Sequence, residues 1–77
     1  MAGLFTEPEL TAMDTLAGKL KEMAAEMVTV LNAKAAVTSN TRLPAFQSAK
    51  RCIDCLKEAV MQIESAAMSN EEDFNQR

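Results

Sequence analysis

The chain contains no histidine, no tryptophan and no tyrosine. Without an imidazole there is no Ser-His or Cys-His nucleophile pair. Two Gly and two Pro leave little turn material, and no run of β-branched or aromatic residues reads as a strand. There is no Gly-rich phosphate loop. The two cysteines, Cys52 and Cys55, are too few for a zinc site in a chain with no histidine. Three residues apart on one helix, they are poorly set for a disulfide, so a reduced, cytoplasmic chain is expected. No stretch of about 18 apolar residues and no basic-then-apolar leader is present, so no membrane association is expected. The formal charge of −3 argues against binding long nucleic acid, which needs a positive surplus. One local absence says more. Between Glu26 and Asp54 there is no acid, while Lys34, Arg42, Lys50 and Arg51 fall there.

What the chain does have is helical spacing. Phe46, Ala49, Ile53, Leu56, Val60, Ile63 and Ala67 alternate steps of three and four, which is one face of an α-helix. One position to the side run Ala45, Cys52, Ala59 and Ala66, all small, where a second backbone can approach. Upstream, Leu10, Met13, Ala17, Leu20, Ala24, Met27 and Leu31 repeat the spacing. Beside them lies a second row of Leu16, Met23, Val30 and Val37. Together the two rows cover a wider face than a two-stranded seam needs. Thr6-Glu7-Pro8-Glu9 reads as a capping box. Thr38-Ser39-Asn40-Thr41 competes for backbone hydrogen bonds and reads as a break.

These patterns predict an all-α fold, an antiparallel two-helix hairpin in one domain over residues 1–69. The first helix is expected from about Glu7 to Val37 and the loop from Thr38 to Thr41. The second helix is expected from about Arg42 to Met68, with Asn40 or Thr41 as its cap. Residues 70–77 read as a polar tail that does not demand order. A lone hairpin buries too little apolar surface to offset chain entropy, so the spare rows call for homo-oligomeric bundling. Cys52, in the small row, is expected to be buried, and the cysteines are assigned to packing. The carboxylates Glu7, Glu9 and Asp14 fit solvated helix-start charges better than acid/base catalysis. The expectation is a non-enzyme without cofactor or metal.

The basic loop end is the candidate binding site. Arg42 and Lys50 are expected in the first turns of the second helix, where free N–H groups favour an anion. Arg42 can grip a phosphate through two hydrogen bonds. Lys34 adds charge from the end of the first helix.

Arg42, Ala49, the run Leu56-Lys57-Glu58-Ala59-Val60-Met61 and then Ala66 make up a further pattern. An Arg, a helical spacer and Leu-x-x-Ala-x-Met before a small residue resembles the second helix of a phage protein family. These are the helical-hairpin cyclic-nucleotide sponges that counter CBASS immunity and share their hairpin with sponges against Thoeris signals. The first helix is similar in outline, with a Leu10-Thr11 start and a long amphipathic run containing a Lys. The resemblance implies a homo-oligomer, often a hexamer, acting in the host cytoplasm. It would sequester cyclic di- or trinucleotides between protomers without cleaving them. It also implies a stacking aromatic, usually Tyr, with Lys, Arg and Thr on the phosphates. This chain has no Tyr; Phe5 or Met13 is the candidate to lie against a base, and Lys19 or Lys21 the candidate first-helix Lys. The alternative from a different class is an assembly or adaptor module that binds another protein's helix.

Overall fold

The computed structural model describes the backbone of residues 3–75 and the side chains of residues 3–70. Met1, Ala2, Gln76 and Arg77, at the ends of the expected arm and tail, lie outside the described residues, as does the side chain of Phe74.

Two helices, α1 (Glu7–Val37) and α2 (Pro44–Asn75), form an antiparallel hairpin. It extends 56 × 19 × 12 Å, two helices wide and one helix thick. The start of α1 is the expected capping box. Thr6 is extended, its hydroxyl accepts from the Glu9 N–H at 3.4 Å, and its own N–H donates to Glu9 Oε1 at 2.9 Å. That backbone hydrogen bond, assisted by the Thr6 hydroxyl, holds the exposed Glu9 carboxyl below its ordinary pKa. At the other end Thr38 is extended and stops α1, and its hydroxyl accepts from the Asn40 N–H at 3.1 Å.

The start of α2 differs from expectation. The Leu43 carbonyl accepts the first helical bond, from the Gln47 N–H at 3.0 Å, so Leu43 stands at the cap position and Pro44 opens the helix. Proline's fixed φ suits that place and it gives up no needed donor. Neither Asn40 nor Thr41 caps. The Asn40 carbonyl instead accepts from the Leu43 N–H at 3.4 Å, and the Thr41 carbonyl accepts from the Gln47 side-chain amide at 2.7 Å.

The seam follows the two expected rows. Ala17, Ala24, Leu31, Ile53 and Val60 are buried, and Leu10, Met13, Leu20, Met27, Phe46, Leu56 and Ile63 are half-buried around them. Ala17 and Ala24 are small, which permits close helix approach in the middle. None of the described side chains is completely enclosed, because a hairpin one helix thick has no inside. The second row of α1 stays out of the seam, whereas Ala59 and Ala66 of the small row are half-buried at its edge. Leu16, Met23, Val30 and Val37 are 52%, 53%, 60% and 77% exposed, and Ala45 and Cys52 are exposed as well. Cys52 is therefore not buried within the protomer, since its row sits beside the seam.

The second helix also runs past its expected end at Met68 to Asn75. Asn70, expected to open a tail, is a buried polar residue at 3% exposure. Its Oδ1 accepts from the Phe5 N–H at 2.7 Å, and its side-chain amide donates to the Phe5 carbonyl at 3.4 Å. The amino-terminal arm is thereby laid against α2. Gly3 is part of this contact: a Cβ there would collide with the Asn70 backbone and side-chain oxygens.

Candidate functional site

At the loop end a shallow groove lies on each face of the hairpin, on either side of Leu31 and Phe46. The first, of about 350 Å³, lies between Val30 and Lys34 of α1 and Ala45 and Phe46 of α2, with Leu43 across its end. The second, of about 400 Å³, lies between Val28 and Asn32 of α1 and Phe46 and Lys50 of α2, with Thr41 at its end. Phe46 and Leu31 form the wall that both grooves share. Each groove is thus an apolar trough with one cation at its border.

The expected site residues divide accordingly. Lys34 borders the first groove and Lys50 the second. Arg42 is exposed in the turn before Leu43 and Pro44, so it precedes the first turn of α2 and borders neither groove. Its expected place at a helix N-terminus is corrected by the position of Pro44. Lys19 and Lys21 are exposed along α1, and Lys21 Nζ lies 3.9 Å from Glu64 Oε2 across the hairpin. Both members of that pair are more than half exposed, so it contributes little stability. Met13 is half-buried near the open end. Phe5 is half-buried against Asn70, at the far end of α1 from Arg42. A 31-residue helix separates the two by about 45 Å. Phe5 and Met13 therefore cannot share a site with Arg42, Lys34 or Lys50 within one protomer.

The aromatic that does stand at the basic end is Phe46. Sequence reasoning placed it only in the seam row. Its position between two lysines follows from the antiparallel pairing, which sets α1's last turns beside α2's first.

Among the described residues, no three His, Cys, Asp or Glu side chains gather as a metal would require. Cys52 and Cys55 are exposed free thiols. Neither described helix is long and apolar enough to cross a membrane. The chain matches no protein-family model, no curated protein and no solved structure.

Proposed function

We propose that this protein sequesters small anionic ligands, cyclic di- or trinucleotides, at sites completed by more than one copy of the chain, and that it does not cleave them. The observation that carries this reading is the sorting of charge along the hairpin. The acid-free stretch lies at the loop end, where Lys34 and Lys50 border two apolar grooves that share Phe46. A base needs an apolar or aromatic surface and a phosphate needs cations, and both are present there. Each groove is shallow and carries one lysine, too little for tight binding by a lone protomer, so the reading needs a neighbour's contribution. The resemblance of Leu56 to Met61 to the phage sponge helix supports the ligand class and an anti-immune role. In this reading Phe46 takes the part first given to Phe5, and Arg42 contributes from the exposed turn.

The adaptor reading has its own support in the exposed row from Leu16 to Val37, which another protein's helix could cover. Calorimetric titration with a panel of cyclic dinucleotides and trinucleotides separates the two. The sponge reading predicts binding at micromolar concentration or tighter, weakened about tenfold or more by Lys34→Ala or Arg42→Ala. Glu64→Ala, away from the grooves, should bind normally. No heat with any member of the panel would overturn the sponge reading and leave the adaptor one.

A further inference from the structure

The two faces of the hairpin are unlike. A helix turns about 100° per residue, so the row one position before each seam residue lies to one side. In α1 that row is Leu16, Met23, Val30 and Val37, preceding Ala17, Ala24, Leu31 and Thr38. In α2 it is Ala45, Cys52, Ala59 and Ala66, preceding Phe46, Ile53, Val60 and Ala67. The helices run in opposite directions and also face in opposite directions. The two reversals cancel, and both rows come to the same face. The structure agrees, since the first groove is bordered by Val30 from one row and Ala45 from the other.

Charge is sorted by face on the second helix. On α2, Lys50, Asp54, Lys57 and Glu64 take the opposite face together with the exposed Met61 and Met68, and Arg51 and Glu58 take the outer edge. Ser48, Cys55 and Gln62 flank the small row. On α1, Asp14 and Lys21 take the charged face, where Lys21 meets Glu64. Lys34 borders the groove on the apolar face, and Lys19 and Glu26, one position before the seam residues Leu20 and Met27, flank the ridge on its outer side. The result is a face with a large apolar ridge on one helix and a strip of small residues on the other. The 56 × 19 Å outline encloses roughly 1,000 Å², enough for the ~800 Å² per partner of a stable interface.

We infer that a second copy of this chain covers this face, about a two-fold axis running along the hairpin, with the loop ends together. That axis sets α1 of each copy over α2 of the other. The register is fixed by Lys21–Glu64 near the middle and by the groove at the loop end. It places Leu16 within about a turn of the level of Ala66, Met23 of Ala59, Val30 of Cys52 and Val37 of Ala45. Under the two-fold each large side chain then meets a small one of the other copy. A two-fold across the hairpin would instead set large on large and small on small. The α2 helices would be held apart and the small strip left open. That arrangement does place the basic loop end on the acidic open end. Packing decides against it, because exposed charges are screened beyond a Debye length of about 8 Å. The two-fold along the hairpin also brings the two Lys34 grooves to one end, which deepens the ligand reading by naming its neighbour. The interface itself stands without ligand.

The test uses Val30→Cys in a Cys55→Ala background, oxidised mildly and run on a non-reducing gel. The expected result is a covalent dimer, from Cys52 of one copy against the new thiol of the other, abolished by adding Cys52→Ala. Absence of the dimer, or a dimer that survives loss of Cys52, overturns the arrangement. In solution Met23→Glu should weaken association on the order of a hundredfold by burying a carboxylate, and Lys57→Glu on the charged face should not. Equal effects of the two would also overturn it. Covalent dimers without nucleotide binding would reject the ligand reading and leave this interface standing.

Discussion

Asn70 makes the longest-range hydrogen bonds described in the molecule. Its side chain satisfies the N–H and the C=O of Phe5, a residue 65 positions away, and is itself largely buried. An amide suits this because it offers a donor and an acceptor side by side. Gly3 fits beside it only because it has no Cβ. Gly3→Ala and Asn70→Ala should therefore each release the arm, with faster hydrogen exchange at the Phe5 amide and a loss of about 1–2 kcal/mol. Once the arm is free the second change has nothing left to remove. The double variant should then lose little more than either single one, and additive losses would show that the two residues do not act together. No local pattern in the sequence announces this contact. Asn70 follows an apolar row and precedes a polar run, which reads as an ending, and its partner lies at the other end of the chain.

Both helices were legible in their faces and less so in their ends. The seam rows from Leu10 to Leu31 and from Phe46 to Ala67 follow from three–four spacing alone, since only one stripe of a helix can meet a single neighbour. The Thr6 cap was legible because its partner Glu9 is three residues on. The carboxyl end of α2 was not, for a physical reason. After Met68 there is no Gly or Pro to stop a helix, and polarity by itself does not. Helix α2 accordingly continues to Asn75. Arg42 was misplaced because Pro44, not the polar residues before it, sets where α2 begins. In α1, Gly18 is exposed, and a methyl group there would meet nothing within 4 Å. Gly18→Ala should therefore stabilise the protein by about 1 kcal/mol, since it removes backbone freedom from the unfolded chain only. A melting temperature that falls instead would mean that Gly18 is covered in the working assembly.

At the scale of the molecule, the apolar ridge beside the small row is the surface that the proposed second copy would cover. Leu16, Met23, Val30 and Val37 could all have been polar without disturbing the seam. The candidate site was legible as an acid-free stretch but not as a geometry. Spacing along one helix cannot say which residues of another helix stand level with it. Pairing the helices removed Phe5 from the site and brought in Phe46, and it separated Lys34 from Lys50 onto opposite faces.

The central claim is that the protein works as an assembly built on that surface. Its most direct test is the mass of the unmodified protein by light scattering across a range of concentrations. A two-fold interface predicts twice the 8.4 kDa of one chain, or a higher even multiple. A compact, cooperatively melting 8.4 kDa species at all concentrations would contradict it.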